Sequence, residues 1–117
     1  MLKVKQSGSM IAGILLLFAT QVFAWSHVHI VNKTDLDVYG EIKYIGGSAW
    51  DCDTQTYALA PWGAFTAPSR GACLVRKITV SAYDLGNGIP YESSAGTAFV
   101  QFIVVKRDDG QLMVTRP

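Results

Sequence analysis

The sequence predicts an all-β protein, a small antiparallel β-sandwich of the immunoglobulin-like kind with about six or seven strands. Three observations favour this fold. Apolar residues alternate with a period of two through most of the chain after residue 24. Turn clusters rich in Gly, Pro, Asn and Asp separate the alternating segments. No segment combines a sustained helical period with caps at both ends.

The first 24 residues have the pattern of a secretory signal peptide. Lys3 and Lys5 form a positive start, an apolar core follows over 10–19, and Ala24 ends a cleavage motif. The apolar stretch of roughly 14 residues is shorter than the ~20 needed to span a bilayer. We therefore expect a signal peptide over 1–24, a single sandwich domain over 25–117, secretion or periplasmic location, and no stable membrane anchor after cleavage.

Length and charge limit the possible functions. The 117 residues carry a net charge of +1, and hydrophobic residues make up 50% of the chain. Cleavage after residue 24 would leave 93 residues with eight basic and nine acidic side chains, a net charge of −1. A near-neutral chain lacks the clustered basic surface of a nucleic-acid-binding protein. One domain with ordinary hydrophobicity is expected, with no nucleic-acid partner.

Seven segments are expected to form strands, and one long segment is expected to form a loop. The segment over 73–83 is predicted as one strand with Leu74, Ile78 and Val80 on its buried face. Phe99 begins a segment that is apolar on both faces, which predicts a central, covered strand. The loop is expected over 84–96, where Gly, Ser and Pro are frequent. The predicted strands span 27–32, 38–45, 55–60, 64–67, 73–83, 99–107 and 111–115.

The two cysteines are expected to form one structural disulfide. Cys52 and Cys73 are too few for a disulfide framework, and neither has a His or second Cys nearby in sequence to form a metal site. An exported domain of this size is marginally stable. In the chain-entropy model a loop of this length contributes about 3 kcal/mol. The pair is therefore predicted to be Cys52–Cys73.

Catalytic patterns are missing from the sequence, so we expect no enzyme activity and no cofactor. There is no serine elbow, and no carboxylate lies in an apolar stretch that would raise its pKa. One metal hypothesis remains open. If the mature chain begins Trp25-Ser26-His27, its amine, two amides and His27 would suit Cu(II), and His29 would add an axial ligand. The alternative is that both histidines are ordinary strand residues.

Aromatic residues in turns and loops are the remaining functional signal. Each of them lies within three residues of a Gly or Pro, in a segment where an aromatic ring can anchor a partner: Trp50, Trp62, Phe65 and Tyr91. The alternative is that these rings fold back over a small core. The leading hypothesis is a non-catalytic binding module that recognises an extracytoplasmic protein or a glycan.

Two other functions stay open. One is an inhibitor or immunity-type protein that blocks a secreted enzyme or toxin, and the other is the Cu(II)-binding exported protein. Asn32-Lys33-Thr34 is in addition an N-glycosylation sequon, although Asn and Thr also satisfy backbone groups in turns.

Overall fold

The computed structural model describes residues 27–46, 52–68 and 73–117. Within these ranges it contains β-strands and no helix, arranged as two sheets that pack together as a sandwich. The predicted signal peptide lies outside the described residues. The strands are β1 (His29–Asn32), β2 (Val38–Ile45), β3 (Gln55–Leu59), β4 (Ala64–Thr66), β5 (Leu74–Ile78), β6 (Ser81–Ala82), β7 (Gly86–Asn87), β8 (Tyr91–Thr97), β9 (Gln101–Lys106) and β10 (Leu112–Thr115).

Sheet A has the strand order β10-β9-β1-β4. β9 lies between β10 and β1, which confirms the predicted central position. Its outer face with Ile103 and Val105 is only half-buried, so the strand is not fully covered on both sides as predicted. β1 runs parallel to β9, with Ile30 beside Phe102, whereas the other two pairs are antiparallel. Phe99 precedes β9 and is 47% exposed, so the prediction that it belongs to the covered strand was wrong.

Sheet B is built around β2. β3 pairs with one edge of β2, while β5 and β6 pair with successive parts of its other edge. β8 and β7 then pair with β5 and β6 respectively. Ile42 lies between Gln55 on β3 and Ile78 on β5, so it is fully buried at the centre of this sheet.

The core lies between the sheets and comes from both of them. Its aliphatic side chains alternate along each strand, as the period of two predicts for a sheet with one face buried. The segment before β8 is hydrogen-bonded to sheet A, because the Ile89 amide donates to the Leu112 carbonyl of β10 at 2.8 Å. The buried apolar residues are Val28, Ile30, Val38, Ile42, Tyr57, Leu59, Ala67, Val75, Ile78, Val80, Ala82, Phe102, Val104, Leu112 and Val114.

The predicted strand over 73–83 is interrupted and changes phase. Tyr44 pairs with Val75 and Lys43 pairs with Lys77, which leaves Arg76 as an extra residue in β5. An extra residue of this kind is a β-bulge, and it shifts the alternation by one position. Val75 is therefore buried and Leu74 is 36% exposed, so the prediction that Leu74 shares the buried face was wrong.

The predicted loop over 84–96 contains two strands. β7 is a short strand of two residues, and β8 is a seven-residue strand at the edge of sheet B. The loop prediction was therefore wrong for most of this segment. The sequence of β8, YESSAGT, shows no apolar alternation. This agrees with its edge position, where none of its residues is fully buried.

The disulfide Cys52–Cys73 is confirmed, with a Cα–Cα distance of 5.9 Å. It joins the segment before β3 to the segment before β5, and both strands pair with β2. Gly46 follows β2 at this end of the sheet, where a Cβ would lie 2.7 Å from the Cys52 Sγ. The close approach of the backbone to the disulfide therefore requires glycine at this position.

Candidate functional site

Trp62 is the most prominent of the predicted binding residues within the described ranges. It is 64% exposed and occupies the turn between β3 and β4, where the Gly63 amide donates to the Ala60 carbonyl at 3.0 Å. Pro61 precedes it at the position that suits proline. The φ angle of Trp62 is 62°, a left-handed conformation that a non-glycine residue rarely adopts.

A buried polar cluster holds this turn in place. Asn32 is fully buried, and its Nδ2 donates to the Leu36 carbonyl at 2.7 Å and to the Ala60 carbonyl at 3.0 Å. Its Oδ1 accepts from the Thr34 hydroxyl at 2.7 Å and from the Thr34 amide at 3.1 Å. The Trp62 amide donates to the Thr34 carbonyl at 3.2 Å. The turn that carries Trp62 is thus held by hydrogen bonds to two buried residues, Asn32 and Thr34.

This cluster also makes the Asn32 side chain of the sequon inaccessible in the folded protein. Both donors of the Asn32 amide are used inside the fold, and the side chain has no exposed surface. A glycan on Nδ2 would replace one of the two amide hydrogens, and so remove one of these bonds, and it would have no space beside a fully buried side chain. The folded protein therefore uses Asn32 and Thr34 to satisfy backbone groups of two turns.

The other predicted aromatic residues have different surroundings. Phe65 and Tyr91 are half-buried and pack against the core, with the Tyr91 ring 4.9 Å from the Phe102 ring in an edge arrangement. Tyr91 begins β8 and so lies in a strand rather than in the predicted loop. Phe65 lies 6.2 Å from the Tyr57 ring, a contact that joins the two sheets. Trp50 lies outside the described residues.

A second aromatic feature lies on the outer face of sheet B. Val38 and Ile42 are buried, so alternation places Tyr39 on the opposite, outer face of β2. The Tyr39 ring is 5.2 Å from the Tyr83 ring, at an angle of 42°. Tyr39 is 40% exposed and Tyr83 is 87% exposed. We call this pair the tyrosine platform.

An open groove of about 880 Å³ adjoins the tyrosine platform. This volume lies within the ~300–1,000 Å³ of small-molecule sites. Most of its lining comes from β2, β3 and the residues around the break between β5 and β6. The lining residues are Tyr39, Gly40, Glu41, Thr56, Tyr57, Ala58, Phe65, Lys77, Thr79, Val80, Ser81, Asn87, Gly88 and Pro90.

The break between β5 and β6 is held by hydrogen bonds that help to shape the groove. The Thr79 amide donates to the Glu41 carbonyl, and the Thr79 hydroxyl accepts from the Glu41 amide, both at 2.9 Å. The Tyr57 hydroxyl donates to the Thr79 carbonyl at 2.6 Å. Burial raises the pKa of the Tyr57 hydroxyl well above its usual range, because the interior disfavours the phenolate. Tyr57 therefore acts as a neutral donor that fixes the floor of the groove.

Of the predicted binding residues that the structure describes, only Phe65 lines this groove, and the tyrosine platform was not predicted. Tyr39 sits at an outward position of a clear alternating strand, which is a signal for exposure. Tyr83 directly follows β6, but nothing in the sequence shows that its ring contacts Tyr39. The alternation of residues along a strand predicts which face of the sheet a side chain lies on. Contact between side chains of different strands depends on the register of the strands.

The copper hypothesis depends on Trp25 and Ser26, which lie outside the described residues. His27 is exposed, and its Nδ1 donates to the Ala67 carbonyl at 3.0 Å. His29 Nδ1 lies 2.8 Å from the Thr66 hydroxyl. Among residues 27–46, 52–68 and 73–117, no three His, Cys, Asp or Glu side chains are grouped to hold a metal ion. The copper site stays a prediction about the start of the mature chain.

No family model, curated protein or solved structure matches this chain. The disulfide within a small all-β domain is consistent with an extracytoplasmic location, where such bonds persist. In the described part of the chain, no helix has the length and apolar character to cross a membrane. The described residues define a disulfide-bonded β-sandwich that carries an aromatic-lined groove.

Proposed function

We propose that this protein is an exported, non-catalytic binding module, secreted or periplasmic, that recognises an extracytoplasmic protein or a surface glycan. The groove of about 880 Å³ beside the exposed tyrosine platform is the observation that carries this proposal. Exposed rings supply contact area at a low entropic cost, and concave sites with a few polar groups are typical of ligand binding. Hydrogen bonds of Thr79 to Glu41 and Tyr57 hold the break that lines the groove, which lowers the ordering cost of binding.

The Trp62 turn favours a second candidate, an inhibitor or immunity-type protein. An exposed ring on a turn braced by Asn32 and Thr34 is preorganised, which suits insertion into the cleft of a secreted enzyme or toxin. The left-handed backbone at Trp62 costs about 1–2 kcal/mol relative to glycine. This conformation and the 64% exposure of the ring are costly for stability, which is why we place a binding role at Trp62.

The two candidates use different surfaces, which allows one experiment to test them. Ala58 and Ala64 are both exposed strand residues, but only Ala58 lines the groove. The variant Ala58→Arg should therefore block the groove, and Ala64→Arg is the matched control on sheet A. Trp62→Gly removes the protruding ring from a position whose backbone suits glycine.

Each immobilised variant is compared with the wild type for capture from the extracytoplasmic fraction of the producing cells. The binding-module proposal expects Ala58→Arg to lose the captured partner while Ala64→Arg and Trp62→Gly retain it. Loss with Trp62→Gly alone would favour the inhibitor. Equal capture by all variants, with none of them destabilised in an unfolding experiment, would contradict both surfaces.

A further inference from the structure

The outer face of sheet B combines fixed aromatic rings with hydroxyl and amide groups. Ser81 lies directly opposite Tyr39 in the strand register, and Asn87 lies opposite Ser81. Tyr83 packs on Tyr39 from the residue that follows β6. One face therefore carries two rings and two neutral polar side chains within neighbouring strand positions. This grouping is typical of a surface that contacts both apolar and hydroxylated parts of one ligand.

Hydrogen bonding orients the polar side chains of this face. The Ser81 hydroxyl donates to the Asn87 Oδ1 at 2.7 Å. With its oxygen used as an acceptor, the Asn87 amide presents Nδ2 as a donor, and the Ser81 oxygen retains lone pairs as an acceptor. The two side chains thus offer a donor and an acceptor side by side. A ligand with several hydroxyl groups matches this arrangement, because each hydroxyl both donates and accepts.

The charges of the groove favour a neutral ligand. Among the residues that line the groove, Glu41 is the one carboxylate and Lys77 is the one amine. Lys77 also lies 3.9 Å from the Glu92 carboxylate, outside the groove lining. A polyanion would meet Glu41, and a polycation would meet Lys77, so neither has a complementary surface. Glu41 can instead accept strong hydrogen bonds from ligand hydroxyls.

We propose that the groove and the tyrosine platform bind a neutral saccharide chain. The inference rests on the proposed binding function and names its ligand class. The apolar C–H face of a sugar ring stacks on Tyr39 and Tyr83, while its hydroxyls bond to Ser81, Asn87 and Glu41. The stacking does not depend on which neutral sugar is bound, whereas the hydroxyl contacts fix the orientation of the sugar ring.

The test measures binding of defined saccharides to the folded protein. The probes are soluble neutral hexasaccharides of glucose, mannose and N-acetylglucosamine, with polygalacturonate and a sulfated polysaccharide as charged comparisons, by isothermal titration and saturation-transfer NMR. Tyr83→Ala is the informative variant because this ring is 87% exposed and contributes little to the core. Tyr83→Phe is the matched control because it keeps the ring.

We expect at least one neutral probe to bind, with NMR saturation reaching its ring C–H protons. Tyr83→Ala should weaken binding about tenfold, while Tyr83→Phe stays within about threefold. Unchanged affinity of Tyr83→Ala, binding of only the charged probes, or no binding of any neutral probe would overturn the saccharide proposal. If no saccharide binds but Ala58→Arg still abolishes capture of a protein, the binding function stands and only the ligand class is wrong.

Discussion

The two sheets of the sandwich differ in how they are held and in what they show to solvent. Sheet A is tied to its neighbouring turns by the buried Asn32 side chain, and its outer face carries half-buried aliphatic residues such as Ile103 and Val105. Sheet B is held by the Cys52–Cys73 disulfide, contains a bulge and carries the tyrosine platform.

The two sheets have different roles: sheet A is regular, and sheet B carries the groove. Sheet A has regular pairing, and buried hydrogen bonds join it to the turns at one end of the sandwich. Sheet B has broken strands and register shifts, which open a groove but weaken the ladder. A covalent link in the irregular sheet compensates for this weaker pairing.

Removal of the buried amide in sheet A should have the largest effect. Asn32→Leu keeps a similar volume but removes four hydrogen bonds, two that Asn32 donates to the Leu36 and Ala60 carbonyls and two that it accepts from Thr34. Each hydrogen bond contributes about 1 kcal/mol net, so the loss of four should lower the free energy of unfolding by about 4 kcal/mol. Urea unfolding followed by tryptophan fluorescence measures it.

The matched control for this variant is Asn87→Leu in sheet B. Asn87 is exposed and makes one side-chain hydrogen bond, to Ser81. Its replacement should change stability by less than about 0.5 kcal/mol. A similar loss in both variants would show that the buried cluster is no stronger an attachment than a surface hydrogen bond.

Removal of the disulfide should have the next largest effect and should act on sheet B. The double variant Cys52→Ser and Cys73→Ser opens a loop with a sequence separation of 21. The expected loss is about 3 kcal/mol, because the unfolded chain gains freedom. Hydrogen exchange should become faster in β5 and β8 before it does in β1 and β9. Uniform acceleration in both sheets would show that the disulfide supports the whole sandwich rather than sheet B.

Tyr57→Phe should have the smallest effect at neutral pH and a distinct effect in alkali. The Thr79 carbonyl loses its donor, which costs about 1 kcal/mol. The folded pKa of Tyr57 is raised by burial above its unfolded value of about 10, so its stabilising contribution is complete below pH ~10. As pH rises beyond that value, the unfolded state releases the proton first and stability falls, by up to about 1.4 kcal/mol per pH unit.

The measurement is the difference in unfolding free energy between wild type and Tyr57→Phe at pH 8 and pH 11. The other tyrosines contribute equally to both proteins and cancel in this difference. The wild type should lose its advantage on going to pH 11. A difference that stays constant across this range would show that the Tyr57 hydroxyl is not held in its neutral form by the fold.

Much of the architecture could be predicted from local patterns. The alternation around Val38 and Ile42 predicts which face of β2 is buried, because side chains in a strand point to opposite faces. The disulfide partners follow from having two cysteines. The turn role of Asn32 and Thr34 also follows from their side-chain chemistry, and the structure confirms it.

The site was harder to predict than the fold. Trp62 was expected to be a turn aromatic and is exposed, but Phe65 and Tyr91 pack on the core. Proximity to Gly or Pro places a residue near a turn, and it does not decide whether the ring points towards solvent or back over the core. That direction depends on which neighbouring strand leaves apolar surface to cover.

An all-β sandwich, one disulfide and the turn role of Asn32 could be predicted from residue order, because they depend on side-chain period and residue type. The parallel pairing of β1 with β9, the bulge at Arg76 and the contact between Tyr39 and Tyr83 could be seen only in the folded chain. Each of these depends on register between segments far apart in the chain. A shift of one residue exchanges the two faces of a strand, and local sequence does not specify that register.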